Sequence, residues 1–155
     1  IAEDCGINRM TFYYHFKDIY DLVEWSCMED ARKALAEKKT DDTWQQGLLQ
    51  IFEAVRENKP FILNVYHCVH QERVETYLKP LVDNLLMGVI DEEAAGLTVR
   101  EEDRRFIAQV YGYVFIGIMM DWIREDMRTQ PEEIVEPLAR LMKGSVREAL
   151  LRFAL

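Results

Sequence analysis

From Ile107 to Met120 only Gln109 is strongly polar. This stretch constrains the fold more than any other. If it is helical, apolar side chains point in every direction, and such a helix must be covered on all sides. One side can face its own domain. The other needs a lid or a second subunit. A membrane is the obvious alternative cover, but Phe106 to Ile123 contains Gln109 and Asp121 and falls short of the ~20 apolar residues a span needs. A buried helix in a soluble protein is therefore expected, with no membrane partner. Ala108, Gly112 and Ile116 form a row at i, i+4 spacing, with Gly117 beside it. The row is a candidate seam for close approach of another helix, and ordinary packing within one subunit would account for it equally well.

Glycine, proline and capping residues divide the rest into helices, and no strand alternation is convincing. Ile1 to Cys5 reads as the tail of a helix closed by Gly6, which can take positive φ. Asn8 is a plausible N-cap for a helix over about Arg9 to Phe16. Asp18 can cap the next, to about Lys38, with Asp21 in its first turn favoured by the helix dipole. Thr43 and Gln46 form a capping-box pattern before a helix to about Glu57. Pro60 suits the start of a helix to about His70. Glu72 to about Ile90 is helical in pattern, with a kink or break expected near Tyr77 to Lys79 because Pro80 lies inside it. Thr98 and Glu101 make a second capping box, opening the long helix over about Val99 to Met127. Pro131 starts the last helix, whose apolar positions run through Phe153, and Pro137 should bend it early. The expected fold is all-α, with a small N-terminal unit over 1–38 and a larger helical bundle over 39–155.

The chain has 155 residues and a net charge of −9. A dedicated nucleic-acid binder should be basic, because phosphate contacts dominate affinity. Most of this chain is therefore expected to be something other than DNA-binding surface. Cys5, Cys27 and Cys68 are odd in number and scattered, which favours reduced thiols in the cytosol over a disulfide framework.

Gly6 to Lys17 carries the clearest functional signal. A tight turn is followed by a short aromatic helix bearing polar groups, the pattern of the second half of a helix-turn-helix. Phe12 and Phe16, four apart, share one face and should anchor the helix in a core. Thr11, Tyr14 and His15 lie on other faces, flanked by Tyr13. Hydroxyl groups are good phosphate ligands, while Arg, His and Tyr reach base edges. Aromatic runs by themselves are usually core, and periodicity leaves both readings open.

Ile1-Ala2-x-x-Cys5-Gly6-Ile7-Asn8-Arg9-x-Thr11-Phe12-Tyr13-x-His15-Phe16-Lys17-Asp18 closely resembles the TetR family of bacterial transcriptional regulators. The match covers roughly 22 residues. Within that family the chain looks most like the branch related to activators of dihydroxyacetone-kinase operons. The resemblance implies that Thr11, Tyr13 and Lys17 contact the phosphate backbone and that Arg9, Met10, Tyr14 and His15 face base edges. Ile19 departs from the pattern, since many members carry Lys there as a further phosphate contact. The family's first helix and the start of its second have no counterpart in this sequence, so the segment by itself should bind DNA poorly. The resemblance also implies a homodimer built from the last two helices, here about 104–127 and 131–155, and double-stranded palindromic operator DNA as partner.

The resemblance further implies an effector pocket. Tyr66, His67, Tyr111, Phe115, Met119, Met120 and Trp122 suit an apolar small molecule, because aromatic and Met side chains adapt to its shape. Each of them taken singly is more simply a core or dimer residue. His67 and His70 would share a helical face, but two ligands at that spacing need at least one more and nothing singles out Glu72 or Glu75. No metal and no cofactor is expected. The sequence holds no Gly-rich phosphate loop, GxSxG, HExxH or supported Cys-His pair, so an enzyme is not expected. Two functions remain: an effector-responsive regulator, or a helical interaction module whose larger domain binds a partner protein. A large closed cavity would favour the first, and a solid core with an exposed apolar groove the second.

Overall fold

A computed structural model describes residues 2–19, 21, 22, 25, 26, 29, 32, 33, 43–69 and 71–155. Every regular element among them is a helix, as the cap pattern requires. In chain order these are α1 Arg9–His15, α2 Trp44–Glu57, α3 Lys59–Asn64, a π-helical turn Val65–Val69, α4 Gln71–Glu93, α5 Glu101–Arg124, α6 Pro131–Met142 and α7 Ser145–Phe153. The described residues from Ile19 to Lys33 are helical as well. The remainder of the expected Asp18 to Lys38 helix, with Cys27, lies outside the described residues.

α4 is the centre of the bundle. It packs against α2, α5 and α7, while α6 lies against α2. Leu78, Val82, Leu85 and Ile90 of α4 are fully buried. A Leu removed from water contributes about 1.5–3 kcal/mol, so this row is a main source of stability. Aromatic pairs fill the gap between α2 and α5. Trp44 stacks on Phe115 with ring centroids 5.7 Å apart, and Phe52 meets Trp122 edge-on at 4.9 Å. Trp122 also donates its indole N–H to the Thr129 carbonyl at 2.8 Å. α7 is tied to the end of α4 by Arg147, whose guanidinium donates to the Glu93 and Ala95 carbonyls. Such a bond serves carbonyls that a helix C-terminus leaves without partners.

α5 is long and apolar enough to cross a membrane by length and composition. Seven of its residues, from Ile107 to Ile123, are nevertheless buried against the bundle, as in the core helix of a globular protein. Its cover is one-sided. Phe106, Val110, Tyr113 and Val114 remain exposed. The glycines of that row divide between the two sides. A Cβ on Gly112 would come within 3.4 Å of Asp83 Oδ1 and 3.8 Å of Leu86 Cδ1, whereas a Cβ on Gly117 would meet nothing within 4 Å. Ala108 and Gly112 thus serve packing within one subunit. A Gly112→Leu substitution should destabilise by about 1–3 kcal/mol through overpacking against α4. Gly117→Leu should leave stability unchanged or raise it by up to about 1 kcal/mol, since glycine is a poor helix former. Thermal melts of the two variants check the contrast.

Several local expectations need correction. Neither threonine capping box forms. Thr43 precedes α2 with helical backbone angles and makes no side-chain cap bond, because capping needs an extended N-cap residue. α5 starts at Glu101 rather than Val99, with Arg100 as its extended N-cap. Glu101, Glu102 and Asp103 supply the negative charge there that the dipole favours. Thr98 is engaged elsewhere: its carbonyl accepts the Leu155 N–H at 3.0 Å. α5 also ends at Arg124, three residues early, in a left-handed turn at Asp126 and Met127 with φ of 58° and 53°. Lys59 holds that turn through the Asp126 carbonyl at 2.7 Å.

Pro80 does not break α4, which is one continuous helix. The carbonyl it leaves unpaired belongs to Thr76, an exposed residue that water can serve. Tyr77, Leu78, Leu81 and Val82 on either side stay buried and hold the helix in place. The expected Pro60 to His70 helix narrows to α3 and gives way to the π-helical turn. The last helix is two. Gly144 at φ 73° separates α6 from α7, and the proline-started reading missed this break because the apolar spacing continues across it.

Candidate nucleic-acid interface

The N-terminal segment is built by three adjacent caps. Gly6 N–H donates to Glu3 O at 3.1 Å and Ile7 N–H to Ala2 O at 2.9 Å. That pair of bonds, with Gly6 at φ 67°, has the pattern of a Schellman motif, and the expected helix tail before Gly6 is a turn over residues 2–6. Asn8 then starts α1 with extended backbone, and its side chain accepts the Met10 N–H at 2.9 Å. Asp18 accepts the Asp21 N–H at 2.9 Å and so caps the helical residues that follow. The Asp21 carboxylate turns back and accepts the Lys17 N–H at 2.9 Å. Two turns therefore hold α1 at both ends.

α1 presents its polar residues to solvent. Met10, Tyr13 and Tyr14 are 75%, 65% and 85% exposed. Arg9, Thr11, His15 and Lys17 are exposed too. All seven residues singled out for DNA thus sit on one accessible segment. Arg9 reaches Glu3 at 3.6 Å, a solvent-exposed pair worth little and easily exchanged for a phosphate or base. The Tyr14 and His15 rings lie edge to face at 5.1 Å. Phe12 and Phe16 turn to the other side, 5.7 Å apart, and Phe16 meets Trp25 at 6.0 Å. They are half-buried, and α1 has no fully buried residue. The expected core anchor is a small aromatic cluster instead.

The residues proposed to line an effector pocket separate. Phe115, Met119 and Trp122 are buried in the packed core. Tyr111 is half-buried and His67 exposed. Tyr66 and Met120 line one open groove of about 320 Å³ that also includes Gln71, Glu75, Tyr113 and Ile116. Tyr66 enters it from the π-helical turn, a widening that often accompanies functional sites. The described residues contain no cluster of three or more potential metal ligands, and His70 lies outside them.

Two features escaped sequence reasoning. One is which residues form the open side of α5: Phe106, Val110, Tyr113 and Val114, continued by Leu151 and Phe153 of α7, with Phe106 and Phe153 rings 6.3 Å apart. Its i, i+4 spacing is visible in the sequence but merges with the buried side of the same helix. The other is Arg73, which reaches Asp21 at 3.1 Å and Asp18 at 3.6 Å from 52 residues away. No local pattern signals it.

An accessible polar helix between two capped turns is what the recognition helix of a helix-turn-helix requires, and an all-helical bundle follows it in the chain. Residues 42–144 match the model of the TetR-type transcriptional regulator C-terminal region, and the chain belongs to the TetR family. Among solved structures, the dihydroxyacetone kinase operon activator DhaS has a similar fold, with a TM-score of 0.64 over 99% of this chain and 84% of that one. Sequence identity to it is 20%, so the likeness is one of fold. No curated protein sequence matches the chain.

Proposed function

We propose that the chain is a one-component, effector-responsive regulator that binds a palindromic operator as a homodimer. The observation that carries this reading is the capped α1 segment, with Arg9, Met10, Thr11, Tyr13, Tyr14, His15 and Lys17 all accessible. Thr11, Tyr13 and Lys17 would hold phosphates, and Arg9, Met10, Tyr14 and His15 would face base edges in the major groove. Residues 1–38 then form the C-terminal part of the DNA-binding domain with its linker helix, and 39–155 the effector and dimerisation domain. A regulator of this kind works in the cytoplasm, which suits three cysteines without a pairing pattern.

The exposed stripe of Phe106, Val110, Tyr113 and Val114 supports dimerisation through α5 and the α6–α7 pair. Contiguous apolar surface of this kind marks interaction sites. Two copies placed stripe to stripe would give α5 the cover its all-round apolar character demands. Sedimentation at micromolar concentration is expected to show a dimer, and a monomer there would refute this interface. Such a dimer places two α1 helices on half-sites about 34–36 Å apart or a multiple of that.

The effector would enter the groove beside Tyr66 and shift the population between DNA-competent and incompetent spacings. The same stripe supports a second reading, in which the bundle binds a partner protein and no small molecule. The packed surroundings of Phe115, Met119 and Trp122 favour it. Operator selection from a random duplex pool separates the two readings, because a pure interaction module enriches no sequence.

A further inference from the structure

We infer that Arg73 is a positioning residue for DNA recognition, locking the recognition segment to the effector bundle. The inference rests on the regulator reading above. Asp18 and Asp21 each use one carboxylate oxygen on a backbone amide and turn the other toward Arg73. Asp18 Oδ1 accepts the Asp21 N–H and its Oδ2 lies 3.6 Å from the Arg73 guanidinium. Asp21 Oδ2 accepts the Lys17 N–H and its Oδ1 lies 3.1 Å from the same guanidinium nitrogen. The three side chains are only 25–43% exposed. The arrangement is a clasp: one arginine holds both carboxylates, and one of these holds the backbone of Lys17.

The placement of Arg73 has a cost that the clasp offsets. It is the third residue of α4. A cation in the first turn of a helix opposes the dipole. Two carboxylates within reach remove that conflict, and the arginine fork can serve both. Lys17 directly follows Phe16, the C-cap of α1. Fixing its backbone fixes where α1 ends and where the Lys17 ammonium points. α4 in turn starts just after the π-helical turn that carries Tyr66. A displacement at that turn would reach Lys17 through Arg73 and the two aspartates.

The test uses the full-length chain and a palindromic duplex that the wild-type protein selects from a random-sequence pool. Arg73→Ala is expected to weaken binding about tenfold at fixed salt. The slope of log K against log salt should not change, because no phosphate contact is removed. The melting temperature should move by less than about 4 °C, as for a partly exposed ion pair. Hydrogen exchange should rise about tenfold at the Lys17 and Asp21 amides and stay constant in α5. Arg73→Lys, which keeps the charge, should recover part of the affinity, and Arg73→Gln should not. Wild-type affinity in Arg73→Ala overturns the inference. So does a salt slope shallower by about 2 for a dimer, which would make Arg73 a phosphate ligand itself. If the wild-type protein selects no duplex, the regulator reading fails, and amide exchange still decides the clasp: unchanged protection at Lys17 and Asp21 in Arg73→Ala overturns it.

Discussion

Replacing Tyr13 and Lys17 together with alanine is expected to weaken operator binding about a thousandfold. Both side chains are exposed on the segment that the two turns hold rigid, so their removal disturbs no core. Hydrogen bonds to a charged group are worth about 1.5–3 kcal/mol each. A homodimer loses four such contacts, two per half-site. Even with strong non-additivity the sum exceeds about 4 kcal/mol, and each 1.4 kcal/mol is tenfold. The signature is as informative as the size. Loss of one lysine–phosphate contact per subunit should flatten the salt slope by about 2 for the dimer, and sequence preference should persist, because backbone contacts position without specifying. Titration of a labelled duplex at several salt concentrations measures both quantities. Salt-insensitive binding at wild-type affinity in the double variant would remove α1 from the interface.

Placing glutamates at Val110 and Tyr113 should convert the dimer to monomer at micromolar concentration. These residues are 45% and 64% exposed in the single subunit, so each has room for a charged side chain there. In a stripe-to-stripe dimer the same positions face their copies. Four carboxylates would then be crowded and desolvated, and like-charge juxtaposition at an interface costs several kcal/mol. A shift of that size moves a nanomolar dissociation constant past the micromolar range. The subunit should keep its helicity and melt independently of protein concentration. Operator affinity should fall as well, since two half-sites held by one dimer act with an effective concentration that free monomers lack. A variant that sediments as a dimer would place the interface elsewhere, for instance on the exposed Leu141 of α6.

The helical class and the N-terminal turns were legible because they depend on neighbours within a few positions. Gly6, Asn8 and Asp18 act on backbone groups two to five residues away, and all three behave as their chemistry requires. The same logic failed at Thr43 and Thr98. A threonine can cap only if its own backbone is extended and free, and the contact of Thr98 with Leu155 comes from the opposite end of the chain. The likeness of residues 1 to 18 to TetR regulators named the family, and the match over 42–144 agrees from the other end of the molecule.

The pocket set was less legible. Phe115, Met119 and Trp122 have the composition of a ligand box and the burial of a core, and spacing cannot separate these roles. Tyr66 reaches a groove because the backbone widens at Val65–Val69, a change that no single residue there announces.

By itself, then, the sequence determined the helices, most of their boundaries, the family and the accessible segment that carries the DNA-binding expectation. Tertiary structure decided which side of α5 is core and which is open, that Gly112 serves α4 while Gly117 faces open space, and that Arg73 meets Asp18 and Asp21. The division has a physical cause. Caps and turns are short-range hydrogen-bonding problems with few solutions. A helix apolar on every side carries no directional signal, so its partners are chosen only when remote segments compete to cover it.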